Sequence, residues 1–172
     1  MNIPSLIIGN LCSLFAMGTD SFSATRKTAK GVLLVQCLSQ FFYGFGSIIL
    51  KGYSGAVQNA MSVLRNVMAI KGIKSKALEW GIVVLGVILG LAFNNIGIWG
   101  LMPTIANLQY TLVVFKFPND ERALKISFMF SVILFIIFNA AILNLVGVVT
   151  NLIIFATTTI SLIRDKKEAA SK

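Results

Sequence analysis

Four asparagines, Asn10, Asn59, Asn107 and Asn151, lie inside strongly apolar stretches. An amide in hydrocarbon without a partner is costly, so each must find another helix, a water or a solute. Amides both donate and accept, and several converging on one space can grip a neutral polar molecule. The same groups can instead tie helices together, where such contacts contribute about 0.6 kcal/mol on average. Both roles are open from the sequence alone. Further polar residues keep helical spacing with them. Gln36, Gln40, Tyr43 and Ser47 form one stripe, Gly55, Asn59, Ser62 and Asn66 a second, and Ser127, Ser131 and Asn139 a weaker third. Arg65 is the one charge well inside an apolar stretch, about a turn and a half from its end. Snorkelling to the headgroups is its expected placement, with a gate role as the alternative.

Other chemistries lack their residues. The chain has no histidine, no cluster of cysteines and carboxylates, no paired catalytic carboxylates and no GxxxxGK[ST] phosphate loop. Neither an enzyme nor a metal or other cofactor is expected. Cys12 and Cys37 fall in apolar stretches and are expected to be small buried hydrophobes without a disulfide.

The elements that would position the amides follow from composition. With 56% hydrophobic and 12% charged residues and a mean hydropathy of +0.85, a soluble chain would expose far too much apolar surface. A lipid bilayer is the expected partner. The 172 residues leave room for short turns but none for a separate soluble domain. Apolar runs cover about 3–19, 31–50, 53–71, 77–95, 97–115, 122–142 and 143–164. The opening MNIPSLIIGN lacks the basic region of a secretory signal and is taken as the first span.

The net charge of +9 is distributed as an insertion signal rather than as a nucleic-acid face. Arg26, Lys27 and Lys30, then Lys71, Lys74 and Lys76, then Lys116, Arg122 and Lys125, then Arg164, Lys166, Lys167 and Lys172 all fall on one side of a seven-span chain. Lys51 alone falls on the other. Basic short loops stay cytoplasmic, so the N-terminus is expected outside and the C-terminus inside, without nucleic-acid binding. Trp80 and Trp99 sit near opposite ends of the fourth-span region, as interfacial tryptophans do.

Short matches indicate an internal repeat. Ile8-Gly9-Asn10-Leu11 aligns with Ile105-Ala106-Asn107-Leu108, and Gly55 and Asn59 with Gly147 and Asn151. The expected fold is therefore an all-α membrane protein with seven transmembrane helices, two parallel three-helix bundles joined by a linker helix (3+1+3). The first bundle takes residues 1–72, the linker 73–96, the second bundle 97–165 and a cytoplasmic tail 166–172. Small residues such as Gly86 and Gly90 on the linker could pack against a second copy, giving a homo-oligomer.

This arrangement, with Phe41-Phe42-Tyr43-Gly44 on the second span, resembles the SWEET sugar facilitators and the related PnuC vitamin transporters. The run from Gly55 to Asn66 (GAVQNAMSVLRN) and the short basic loops look most like the bacterial inner-membrane proteins of the YgjV type. The resemblance implies alternating access around a midplane site in the inner (plasma) membrane, with Asn59 and Asn151 at matching pocket positions and Pro103 as a hinge. The expected substrate-binding residues are Asn59, Asn151, Asn10, Asn107, Gln40, Tyr43 and Ser62, with Pro103 and Arg65 as gate or hinge. Asp20, Glu79, Asp120, Glu121, Asp165 and Glu168 all lie at or beyond span ends, which points to passive transport of an uncharged polar metabolite such as a sugar, nucleoside or vitamin-like molecule. The alternative is a structural or assembly protein of the membrane that transports nothing.

Overall fold

All seven apolar runs are helices in the computed structural model. It describes the backbone of residues 2–23, 29–73, 75–117 and 120–170, and their side chains except at 21, 23, 29, 32, 114, 115, 121 and 165–170. The helices are α1 (Ile3–Ser23), α2 (Ala29–Ile49), α3 (Tyr53–Ile70), α4 (Lys76–Ala92), α5 (Ile98–Lys116), α6 (Glu121–Ala141) and α7 (Leu145–Ala170). Polar caps set the starts of α1, α6 and α7. Asn2 accepts from the Ser5 N–H at 3.0 Å, Asp120 from the Ala123 N–H at 2.9 Å and Asn144 from the Gly147 N–H at 3.0 Å. α7 continues to Ala170, past the expected boundary at 165, because Lys, Glu and Ala are good helix formers.

Two turns have the same geometry. Lys51 (φ 60°) and Leu143 (φ 58°) are left-handed, and the residue after each returns a hydrogen bond to the helix: Gly52 N–H to the Ser47 carbonyl at 2.7 Å, Asn144 N–H to the Asn139 carbonyl at 2.8 Å. The interval 143 − 51 = 92 is also that between Gly55 and Gly147 and between Asn59 and Asn151.

α1, α2 and α3 pack in sequence, as do α5, α6 and α7; α3 meets α5 and α7 meets α1, so six helices close a ring. α4 lies against α3 and α5. Asn95 Nδ2 donates to the Lys51 carbonyl at 2.6 Å and Asn10 Nδ2 to the Leu143 carbonyl at 3.1 Å. The α2–α3, α4–α5 and α6–α7 connections therefore share one end of the bundle with the start of α1. Lys51 lies at that end, and Lys30, Lys71, Lys76, Lys116, Arg122, Lys125 and Arg164 lie toward the other. Arg26, Lys27, Lys74, Lys166, Lys167 and Lys172 lie outside the described side chains.

The interior is more polar than the exterior. Ser13, Ser39, Gln58, Asn59, Asn66, Asn139 and Asn144 are buried, while Leu34, Leu38, Phe41, Phe45 and Ile48 on α2 and Trp80, Val84, Leu85, Ile88 and Leu91 on α4 are exposed. That is the reverse of a water-soluble protein. The apolar core is a small cluster of Leu50, Phe138 and Ile142, flanked by Leu6, Ile96, Met102 and Phe135, at the end where the turns meet. A Cβ at Gly55 would collide with the Phe138 ring, so glycine there leaves room for that ring of α6 against α3.

The expectation of seven transmembrane helices does not hold. Among the described residues three segments are long and apolar enough to cross a membrane: Ile3–Asp20, Arg122–Ala141 and Leu145–Arg164. The others fall short for separate reasons. The apolar part of α2 is only Leu33–Ile49, and α3 carries Gln58, Asn59, Arg65 and Asn66. α4 has 17 residues, about 25 Å against a hydrocarbon core of about 30 Å. α5 is interrupted by Asn107 and Gln109. Gly86 and Gly90 are buried, Gly90 against Thr104 and Gln58, so they offer no face to a second copy. Cys12 and Cys37 are half-buried free thiols.

Candidate functional site

A cavity of about 160 Å³ lies inside the ring. α2 supplies Gln40, Tyr43 and Ser47, α3 supplies Asn59, Ser62 and Arg65, and α5 supplies Asn107 and Tyr110. α6 contributes Phe128, Ser131 and Asn139, and α7 contributes Asn151. Phe135 and Phe138 connect this wall to the apolar cluster. Toward the basic end the cavity reaches Asp20 and Arg65.

Of the expected substrate-binding residues, Asn59, Asn151, Asn107, Gln40, Tyr43 and Ser62 line this cavity, and so does Arg65. Asn10 and Pro103 do not. Asn10 turns to the α6–α7 connection: Nδ2 donates to the Leu6 and Leu143 carbonyls at 2.9 and 3.1 Å, and Oδ1 accepts from the Val146 N–H at 3.0 Å. It thus satisfies an N–H at the start of α7 that has no partner within the helix. Pro103 is fully buried in an α5 that runs continuously from Ile98 to Lys116.

The amides divide by partner. Asn107 Nδ2 donates to Gln58 Oε1 at 2.8 Å, and Gln58 Nε2 donates to the Gly86 carbonyl at 2.8 Å, which ties α3, α4 and α5 together. Gln109 Nε2 donates to the Ser127 carbonyl at 2.9 Å and Gln109 Oε1 accepts from Ser127 Oγ at 2.8 Å, joining α5 to α6. Asn59 Nδ2 donates to the carbonyl of Gly55 on its own helix at 2.9 Å. Gln40 and Asn151 make no hydrogen bond to any described residue. Asn59 and Asn151, 92 residues apart, therefore face the cavity with capacity that no described residue takes up.

Arg65 reaches inward rather than to the bundle end. Its Nη1 donates to Asn107 Oδ1 at 3.3 Å and Thr111 Oγ1 at 3.4 Å, and its guanidinium lies 5.6 Å from the Tyr110 ring centre. Tyr110 pairs with Phe128, ring centres 5.8 Å apart. Both rings also line an open groove with Leu124, Lys125, Thr157, Thr158 and Ser161, so the pair separates cavity from groove.

Asp20 and Tyr110 are lining residues that the sequence analysis missed. Asp20 accepts a hydrogen bond from Ser39. Its signal was available, since Gly9, Ser13, Ala16 and Asp20 recur on one helical face and the first three are buried. Tyr110 follows Asn107 at the same kind of spacing.

No curated protein and no solved structure matches the chain. Residues 7–169 match the family model Imp-YgjV, described as bacterial inner membrane protein. With that match spanning nearly all of a chain whose surface is apolar and whose interior carries many buried polar side chains, the chain belongs to the YgjV family of multi-pass bacterial inner membrane proteins.

Proposed function

We propose that this protein is a membrane transporter that moves a small polar metabolite by alternating access through the cavity inside the ring. The observation that carries this reading is the presence of Gln40 and Asn151 on the cavity wall without a hydrogen-bond partner among the described residues, in the same cavity as the half-used amide of Asn59. Polar groups held at that cost are accounted for by a solute that bonds them. The resemblance to the SWEET and PnuC transporters supports the same mechanism. In it, Leu50, Phe138 and Ile142 close the cavity on one side, and the Tyr110–Phe128 pair guards the other.

The basic end of the bundle faces the cytoplasm in this proposal, as positive charge in short loops favours. A thiol-reactive probe that cannot cross membranes should then label Lys51→Cys, in a protein otherwise without cysteine, from the periplasmic side. Labelling only from the cytoplasmic side would reverse the orientation. The expectation of passive transport of an uncharged solute rested on every acidic residue lying at or beyond a span end. Asp20 on the cavity wall removes that ground, so the proposal extends to polar solutes of either kind.

Purified protein should gain thermal stability with one class among sugars, nucleosides, vitamins and small organic acids, by about 2.7 kcal/mol at a hundred times Kd. Asn59→Ala and Asn151→Ala should abolish that gain. If no class stabilises the protein, the paired amides Asn10 and Asn107 would favour the second reading, a structural or assembly protein.

A further inference from the structure

Arg65 has a cation's worth of hydrogen-bonding capacity that the described residues do not use. A guanidinium carries five N–H donors. The hydrogen bonds that Arg65 makes to described residues leave from Nη1 alone, to two neutral oxygens at 3.3 and 3.4 Å. No described carboxylate forms an ion pair with it. Tyr110 offers only its ring face. A neutral glutamine could make the same two bonds, and a cation inside the bundle without a counter-ion is unfavourable. The side chain also lies on the wall of the cavity and not among exposed residues at the bundle end.

We propose that Arg65 binds the anionic head of the solute, and that the solute is a small carboxylate bearing a hydroxyl or amino group. This rests on the transporter reading above. A planar guanidinium takes a carboxylate through two parallel hydrogen bonds, which a point charge cannot do as well. The single guanidinium sets the charge limit. It balances one carboxylate and leaves a doubly charged phosphate with charge to spare. Asn59, Asn151 and Gln40 supply both donors and acceptors for the remaining polar atoms. The volume sets the size. A cavity of about 150 Å³ holds benzene, so about 160 Å³ suits a molecule of that scale.

Thermal stability and equilibrium binding of the full-length protein in detergent decide the matter, with serine and lactate as carboxylates, serinamide and lactamide as their uncharged counterparts, and inorganic phosphate and ribose beside them. Serine or lactate should bind saturably, the matching amide and phosphate roughly tenfold or more weakly. Arg65→Gln, which keeps a donor toward Asn107 and Thr111, should erase the preference for carboxylate over amide. The wild-type comparison stands even if that variant does not fold. Equal binding of acid and amide, or binding of ribose alone, would overturn the role of Arg65 while leaving a transporter of neutral solutes intact. An absence of binding by every probe would count against both. If phosphatidylglycerol reproduces the stabilisation and phosphatidylcholine does not, with no response to the soluble acids, a lipid headgroup takes the guanidinium and the solute assignment fails.

Discussion

The four repeat asparagines have the same chemistry and different jobs, and their surroundings decide which. Asn10 spends both ends of its amide on the α6–α7 connection, and Asn107 is held between Gln58 and Arg65. Asn59 and Asn151 face the cavity. Asn10→Ala should therefore lower stability, on the order of 1–2 kcal/mol, and leave solute affinity unchanged. Asn151→Ala should do the reverse; thermal unfolding with and without solute separates the two. That the amides had to be satisfied was legible in the sequence, because hydrocarbon admits no alternative. Which partner each would take was not. Asn10 is placed by a turn that lies 133 residues away, and no local pattern encodes that meeting. For the same reason Arg65, assigned to the headgroups by its depth in α3, instead turned toward Asn107 and Thr111 on α5.

At the level of elements, apolar runs and polar breaks gave all seven helices, while the inference from helix to membrane span went too far. Polar residues that make α3 and α5 useful inside the ring are the same ones that lower their apolar character. A helix surrounded by others can carry an internal polar face, since its neighbours supply the partners that lipid does not. Close packing depends on glycine at one of these contacts. Gly55→Ala would drive a methyl group into the fully buried Phe138 ring, and overpacking of that kind costs about 1–3 kcal/mol. The variant should show a lower unfolding temperature, and a second change, Phe138→Leu, should recover part of the loss. An unchanged unfolding temperature in Gly55→Ala would mean that the Phe138 ring is not held against Gly55 as described.

For the whole molecule, the governing relation is the 92-residue interval that links Lys51 to Leu143, Gly55 to Gly147 and Asn59 to Asn151. It places two like turns beside one apolar cluster and two like amides across one cavity. The shared interval was visible in short sequence matches. The closure of six helices by contact of α7 with α1 was not, because that contact pairs the two ends of the chain. The connection after α3 is crossed only once by the backbone, at Gly72, and everything else joining the two sides is noncovalent. Severing the peptide there should leave two polypeptides that, when co-expressed, find each other in the bilayer and copurify. A tag on either piece would report the pairing, and failure to recover the companion piece would show that chain continuity, rather than the fit between surfaces, keeps the halves in register.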